Sequence, residues 1–121
     1  SLRSDVFTAD AFIDYSVFGG SVGDLEHTIT FLKDAMTPEV FPAHQHMNAN
    51  LQIVVNDDRA SGRIMCLNPQ EMRMPDGGTQ VFFCALWYID EYVRTDAGWR
   101  IERRVEEKSL VHNAPDFMAD L

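Results

Sequence analysis

The sequence predicts one α+β domain in which a strongly curved antiparallel sheet wraps over helices. One segment has the apolar spacing of a helix, and four long extended segments follow it, separated by short polar turns. Each extended segment is more than twice the usual strand length of ~5–6 residues. Strands of this length bend at β-bulges, so we expect the sheet to have one concave face.

The first third of the chain contains the predicted helices and the first strand. Residues 1–7 carry apolar side chains at helical spacing and are predicted to close a helix, and residues 11–17 form the first predicted strand. Residues 25–36 are predicted to be helical, because Asp24 can cap the start of an apolar stripe and Pro38 ends it.

The remaining chain predicts an antiparallel meander. Its turns are rich in Asn, Asp, Gly and Pro, which favour tight reversals. The predicted strands are residues 43–55, 60–74, 79–95 and 99 to about 112. Residues 79–95 are apolar on both faces, so helices are expected to cover one face and a partner subunit the other. We therefore expect a homo-oligomer, either a trimer or a dimer.

Composition limits the classes of partner. The chain has 121 residues, of which 45% are hydrophobic, and this suits a single domain spanning residues 1–121. A net charge of -9 repels phosphate backbones and anionic lipids, which argues against nucleic acid and membrane partners. The longest apolar stretch, residues 81–89, is about half of the ~20 residues that a membrane span needs.

Cysteine usage predicts a reducing compartment. Cys66 and Cys84 lie in apolar segments without CxxC spacing, which is typical of buried thiols. We therefore expect a cytoplasmic protein. The chain begins with Ser1 and has no secretory leader, so the protein is expected to continue upstream.

A polar row in residues 41–50 is the most informative local pattern. His44, His46, Asn48 and Asn50 occupy every second position before an apolar run. Side chains two apart on a strand share a face, so this row predicts a lined cavity. Histidine titrates near neutral pH and would be the natural proton acceptor there.

Other polar side chains gain interest if they share that cavity. A phenol, from Tyr15 or Tyr88, can polarise a carbonyl group, and a carboxylate can orient an imidazole. The HxH spacing can hold zinc, but a third ligand is not evident, so no metal site is predicted. Motifs of serine hydrolases, P-loop proteins, dinucleotide-binding proteins and zinc proteases are missing.

The residues as a set resemble a known family. Segments 13–20 (IDYSVFGG), 45–50 (QHMNAN) and 88–101 (YIDEYVRTDAGWRI), with the order strand, helix, long strands, are similar to the SnoaL-like branch of the nuclear-transport-factor-2-like proteins. This resemblance implies a cone-shaped α+β barrel. Within the branch, the likeness is to lyases: scytalone dehydratase, bile-acid dehydratase and hexachlorocyclohexane dehydrochlorinase.

The resemblance implies roles for individual residues. His46 matches the histidine that abstracts the proton in a β-elimination. Tyr15 matches the first-strand tyrosine that helps to polarise the substrate carbonyl, and Tyr88 matches a position that lines the pocket. No metal or organic cofactor is implied. The residues expected to bind substrate are Asp14, Asn50, Asn68, Leu86 and Asp90.

Two departures from the lyases leave the expected site incomplete. The family's N-terminal helix, which carries a tyrosine or an aspartate, is expected to lie outside residues 1–121. Asn68 and Gln70 stand on the strand where the dehydratases have a second acid or histidine, and amides do not exchange protons near neutral pH.

The leading functional prediction is a dehydratase-like lyase or isomerase that acts on a small, hydrophobic, cyclic substrate, with His46 as general base. One alternative is a non-catalytic ligand-binding or assembly module of the same fold. Another is a polyketide cyclase or epoxide hydrolase with a carboxylate base, for which Asp14 would matter more. Fold alone does not choose between these classes.

Overall fold

Seven strands and one α-helix make up residues 1–116, the part of the chain that the computed structural model describes. A π-helical turn at Leu2–Val6 precedes the first strand, and a 3₁₀ turn at Ser16–Phe18 follows it. The elements are β1 Phe7–Asp14, β2 Val22–Gly23, α1 Leu25–Ala35, β3 Ala43–His44, β4 Met47–Asn56, β5 Arg59–Arg73, β6 Thr79–Thr95 and β7 Gly98–His112.

The strands form one curled sheet in the order β2-β1-β7-β6-β5-β3, and β4 also pairs with β5. Strands β4 to β7 make the predicted antiparallel meander. The prediction of an entirely antiparallel sheet is wrong in one place, because β1 lies parallel to β7. The curl returns the last strand to the first, and the result is the predicted cone-like α+β fold.

Helix α1 begins and ends as the sequence predicts. The Asp24 carboxylate accepts a hydrogen bond of 2.8 Å from the His27 backbone N–H, which satisfies one free donor of the first turn. The helix gives way to Met36, two residues before Pro38. Leu25 and Ile29 are buried against the sheet, so the helix closes one side of the curl.

The N-terminal prediction is wrong in its boundaries. The strand begins at Phe7 rather than at residue 11, because Phe7 is buried in the core with Ile13. It ends at Asp14 because the carboxylate of Asp14 accepts hydrogen bonds from the Ser16 backbone N–H and hydroxyl group, which turns the chain. Residues 1–7 therefore contribute one helical turn and then the start of the strand.

Residues 43–55 form two strands rather than the single one predicted. The chain leaves the sheet at Gln45 and His46, between β3 and β4. Within β4, Asn50 has a φ of 49°, and the pairing with β5 shifts between Ala49 and Gln52. A left-handed residue at a bulge reverses the side-chain alternation, so the predicted polar row does not continue beyond this point.

Two buried clusters form the core, one between α1, β1 and β7 and the other on the concave side of β5 and β6. Tyr92 packs against both clusters and lies over Gly62 of the neighbouring strand. A Cβ atom at Gly62 would lie 2.7 Å from the Tyr92 hydroxyl oxygen and 2.8 Å from a ring carbon. The absence of a side chain at residue 62 thus fixes the position of the Tyr92 ring.

Replacing Gly62 with alanine is expected to lower the free energy of unfolding by about 1–3 kcal/mol, because the new methyl group overpacks the Tyr92 ring. Urea unfolding monitored by circular dichroism measures this loss. Gly77→Ala is not an equal control because of its positive φ, so Ala60→Ser on the same strand serves instead. A loss for Gly62→Ala that is no larger than the control's would contradict the packing argument.

Candidate functional site

A cavity of about 320 Å³ lies between the concave face of the sheet and helix α1. This volume is at the lower end of the range for small-molecule sites. Its walls are mostly apolar, with a few polar groups that converge on one space. The lining residues are Tyr15, Phe18, Gly20, Phe31, Leu32, Met36, His44, His46, Asn68, Gln70, Cys84, Leu86, Tyr88 and Glu106.

The three residues predicted to be catalytic all line this cavity. Tyr15 follows β1, and Tyr88 lies on the inward row of β6, which is buried at every second position. Their ring centroids are 6.5 Å apart. Burial raises the pKa of both phenols, so both keep their protons at neutral pH and can donate hydrogen bonds.

His46 lies at the mouth of the cavity, in the break between β3 and β4. Its side chain is exposed, yet it is close enough to the cavity wall to lose part of its hydration. Desolvation lowers the pKa of His46, and the nearby His44 and Arg104 add to the effect. The imidazole is therefore unprotonated at neutral pH and able to accept a proton.

His44 accompanies His46 in the cavity, and the two ring centroids are 5.9 Å apart. Both rings line the cavity as predicted, but strand alternation does not place them there, because His44 ends β3 and His46 lies in the break before β4. Residues 1–116 contain no group of three or more His, Cys, Asp and Glu side chains that could hold a metal ion.

A buried ion pair lies beside the cavity. Two guanidinium nitrogens of Arg104 donate hydrogen bonds of 2.8 and 2.7 Å to the two carboxylate oxygens of Asp90. The Tyr92 hydroxyl donates a third hydrogen bond, of 2.9 Å, to the same carboxylate. The Arg104 guanidinium carbon lies 4.0 Å from the centre of the Tyr88 ring, so the pair supports that ring from one side.

The ion pair with Asp90 keeps Arg104 protonated. Burial opposes the positive charge, but the hydrogen bonds and negative charge of Asp90 outweigh burial and raise the pKa of Arg104. Asp90 itself is 1% exposed and lies outside the cavity lining. The prediction that Asp90 binds substrate is therefore wrong, because its carboxylate is already occupied by Arg104 and Tyr92.

Glu106 places a carboxyl group in the cavity that the sequence did not predict. It lies on β7 directly opposite Tyr88. Burial raises the pKa of Glu106 to about 8, the negative charge of Asp14 adds to this, and the positive charge of Arg104 works against it. Among residues 1–116, Glu106 has no hydrogen-bond or salt-bridge partner for its carboxyl group. Glu106 is thus a neutral acid at neutral pH.

A β-bulge explains why the sequence did not indicate Glu106. Counted from the β6–β7 turn without irregularity, Val105 would lie opposite Tyr88 and Glu106 would face outward. The pairing instead shifts by one residue between Glu91 and Tyr92, which moves Glu106 to the concave face. Five of the six residues 102–107 are charged, which also resembles a solvated face. A prediction that included this bulge would have placed Glu106 on the concave face.

Two of the residues predicted to bind substrate, Asn68 and Leu86, line the cavity, and Cys84 on the inner row of β6 extends the same wall. The Asn68 amide donates a hydrogen bond of 2.6 Å to the Gln45 carbonyl and accepts one of 2.6 Å from Gln70. Asn68 therefore anchors the segment that carries His46. Leu86 supplies apolar wall.

Asp14 and Asn50 do not line the cavity, contrary to prediction. The Asp14 carboxylate turns back to Ser16, whose hydroxyl and backbone N–H hydrogen bonds lower the pKa of Asp14. The Asn50 amide lies 3.2 Å from the Met65 sulfur, on the outer face, because the bulge in β4 reverses its direction. Neither side chain is placed to contact a molecule in the cavity.

A curled sheet closed by a helix, with a cavity between them, defines the nuclear-transport-factor-2-like class of fold. Within that class, residues 2–105 match the SnoaL-like domain, and the chain belongs to this family. An uncharacterized protein of Mycobacterium tuberculosis is 45% identical over 103 residues, which are 85% of this chain and 67% of the relative.

Solved structures share the fold at lower sequence identity. A protein of Kribbella flavida has a TM-score of 0.78 and 22% identity, with 96% of this chain and 79% of that chain covered. The hexachlorocyclohexane dehydrochlorinase of Novosphingobium barchaimii has a TM-score of 0.71 and 18% identity, with 93% and 74% covered. At these identities the likeness shows the fold. In the described part of this chain, no helix has the length and apolar character needed to cross a membrane.

Proposed function

We propose that the protein is a dehydratase-like lyase or isomerase that acts on a small, hydrophobic, cyclic substrate, with His46 as its general base. The observation that carries this proposal is the shared cavity, which brings one unprotonated imidazole and two protonated phenols around a mostly apolar space. Abstraction of a proton next to a carbonyl group needs a base of this kind and hydrogen-bond donors at the oxygen.

The proposed reaction is a β-elimination. The imidazole of His46 removes a proton from the carbon next to the carbonyl group, and the C–H electron pair becomes a carbon–carbon double bond. The bond from the next carbon to the leaving group breaks. Tyr15 and Tyr88 stabilise the negative charge that develops on the carbonyl oxygen, because their raised pKa values keep them protonated as donors.

The comparisons support an elimination without naming the substrate. One structural neighbour is named as a dehydrochlorinase, which removes the elements of HCl from its substrate. A small cavity with apolar walls suits a ring-shaped molecule. The carboxylate-base alternative at Asp14 has less support, because hydrogen bonds from Ser16 lower the pKa of Asp14 and hold it outside the cavity.

A non-catalytic binding module is the second candidate, and one observation favours it. His46 is exposed at the cavity mouth, and within residues 1–116 its ring has no hydrogen bond to fix its orientation. A general base usually has such a partner. A binding module would show stabilisation by a ligand without any product.

His46→Ala is expected to lower kcat/KM by about 10²- to 10⁴-fold and to leave the fold intact, because it removes the base but no core contact. The measurement is a screen of hydroxylated cyclic ketones and steroid-like alcohols for water loss, followed by the absorbance of the enone product. His44→Ala should have a milder effect, and His112→Ala, beside Phe83 and away from the cavity, should have none. A fully active His46→Ala enzyme would disprove the assignment of the base.

We also propose that the chain is a homo-oligomer, a trimer or a dimer, that assembles through the outer face of the sheet. An apolar row crosses four strands on this face, and its members pair in register: Met47, Leu67, Ala85 and Leu110. Leu67 is 41% exposed and Leu110 is 51% exposed. A second copy that buries this row would remove a large apolar surface from water.

Sedimentation at micromolar concentration tests the assembly. The wild-type protein is expected to sediment as an oligomer, and Leu67→Glu is expected to shift it toward the monomer, because a buried charge in the row would be unpaired. Val55→Glu, at an exposed position at the far end of β4, is the control and should leave the mass unchanged. A wild-type monomer would contradict the proposal.

The cytoplasm remains our proposal for the compartment. Cys66 and Cys84 are both buried and free. Burial raises the pKa of the Cys84 thiol to about 11, so it stays protonated and unreactive at neutral pH. Two inert thiols suit a reducing environment.

A further inference from the structure

We propose that Glu106 is the general acid of this site: it enters the reaction as a neutral carboxylic acid and gives its proton to the leaving hydroxyl group of an uncharged, cyclic β-hydroxy carbonyl substrate. The inference rests on the proposed elimination and adds the second proton-transferring group and the charge class of the substrate. It also fills the gap that the amides of Asn68 and Gln70 leave, since amides do not transfer protons near neutral pH.

The position of Glu106 supports this role. It lines the same cavity as His46 and lies directly across the β6–β7 ladder from Tyr88. Directly opposed residues of an antiparallel pair have their Cβ atoms about 4.5–5.5 Å apart, so a substrate against the Tyr88 phenol is within reach of the carboxyl group. Within the cavity lining of the described chain, Glu106 is the one carboxyl group.

The neighbouring charges are arranged to leave Glu106 neutral. Arg104 and Lys108 lie two residues before and two residues after Glu106 on the same face of β7. Both carboxylate oxygens of Asp90 already engage the Arg104 guanidinium group, and Lys108 is exposed and forms no salt bridge within residues 1–116. The positive charge of Arg104 is therefore largely balanced by Asp90, and the negative charge of Asp14 disfavours ionisation of Glu106. The ionisable groups around it are Arg104 and Lys108 on β7, Tyr88 and Cys84 on β6, Cys66 on β5, Asp14 on β1 and Tyr15 just after β1.

In the proposed reaction His46 accepts a proton and Glu106 donates one, and each has the protonation state that its role requires. Burial raises the pKa of Glu106 to about 8, whereas desolvation lowers the pKa of His46. At neutral pH the base is thus unprotonated and the acid is protonated. Two titratable groups whose environments separate their roles in this way mark an acid–base pair.

The proton balance of the proposed step closes. His46 gains the proton from the carbon next to the carbonyl group, and the C–H pair forms the double bond. The carbon–oxygen bond breaks, its electron pair stays on oxygen, and the Glu106 proton completes a water molecule. His46 ends as the imidazolium and Glu106 as the carboxylate, and solvent returns a proton to Glu106 and removes one from His46.

The charges of the groups around the cavity before substrate binds favour an uncharged substrate. Asp90 holds the positive charge of Arg104, and among the cavity-lining residues of the described chain there is no Lys or Arg to pair with an anionic substrate. A carboxylate or phosphate ester would be desolvated there without a partner. The structure therefore points to an uncharged hydroxy ketone.

Carbon-13 NMR of protein labelled at glutamate carboxyl groups tests the resting state without any substrate. One resonance, missing in Glu106→Gln and present in Glu107→Gln, is expected to titrate near pH 8. Glu107 is the matched control, since it is the next residue but lies exposed with Arg63. A Glu106 resonance that titrates in the ordinary range of about 4–5 would overturn the proposal.

Kinetics with two probes test the role itself. On 3-hydroxycyclohexanone, kcat should fall as pH rises through about 8, and Glu106→Gln should lower kcat by about 10²- to 10⁴-fold. On 3-chlorocyclohexanone, corrected for the uncatalysed rate, Glu106→Gln should lower kcat far less than on the hydroxy ketone, because chloride leaves without a proton. His46→Ala should be inactive on both probes, and Glu107→Gln active on both.

The outcomes separate the two proposals. A Glu106→Gln enzyme with wild-type kcat on the hydroxy ketone, beside an inactive His46→Ala enzyme, would leave the lyase proposal standing and overturn the acid role. An activity that rises through pH 8 would make Glu106 a base and overturn it as well. An active His46→Ala enzyme would disprove the base, whereas the NMR titration would still decide the resting state of Glu106.

Discussion

Asp90→Ala is expected to lower the free energy of unfolding by about 3–5 kcal/mol, because it leaves the Arg104 guanidinium buried without its partner. Asp90 is 1% exposed, and the Arg104 side chain is 16% exposed, so water cannot replace the lost carboxylate. The Tyr92 hydroxyl loses its acceptor in the same change. Chemical unfolding monitored by circular dichroism and tyrosine fluorescence measures the loss.

A surface ion pair on the same sheet, between β5 and β7, is the control for this prediction. Arg63 and Glu107 form a two-point ion pair across the outer face, and their side chains are 40% and 50% exposed. Glu107→Ala should cost much less than Asp90→Ala, because solvent screens such exposed pairs. If Asp90→Ala costs no more than Glu107→Ala, the buried pair does not hold the sheet together as we describe.

Glu106→Gln is expected to make the protein more stable than wild type at pH 9 and to flatten the dependence of stability on pH. The folded-state pKa of Glu106 is raised to about 8, whereas an unfolded glutamate titrates near 4.3. The folded state therefore binds this proton more tightly. Its contribution to stability is fully present below about pH 4.3, falls as pH rises through about 8, and is constant above that value.

The difference between the two pKa values corresponds to at most about 5 kcal/mol at high pH. Glutamine keeps the shape of the side chain without the ionisation, so the variant should not lose stability between about pH 4.3 and 8. Urea unfolding at several pH values measures the curves. Glu107→Gln should keep the wild-type curve in this range, and parallel curves for wild type and Glu106→Gln would refute a raised pKa.

Much of the fold could be predicted from local sequence. The turns of Asn, Asp, Gly and Pro gave β5, β6 and β7 to within about one residue, because tight reversals require those residues. The cap at Asp24 and the stop near Pro38 defined α1. The boundaries of β1 were wrong, since burial of Phe7 in the core, a tertiary effect, extends the strand toward the N-terminus.

Strand alternation predicted part of the candidate site. Tyr88 lies on the uninterrupted inner row of β6 and was placed correctly in the cavity, whereas His46 reaches the cavity from the break between β3 and β4. Asn50 and Glu106 each lie at or beyond a bulge, and there the expected face is reversed. The catalytic roles remain predictions until the variants are measured.

The sequence by itself determined the element order, the family resemblance and the presence of an imidazole and phenols on inward-facing positions, because these follow from local spacing and turn chemistry. Only the tertiary structure decided that Asp90 serves Arg104 and that Glu106 enters the cavity as a neutral acid. The reason is physical: one extra residue at a bulge turns every following side chain to the other face, and burial then sets the charge of the group that arrives there.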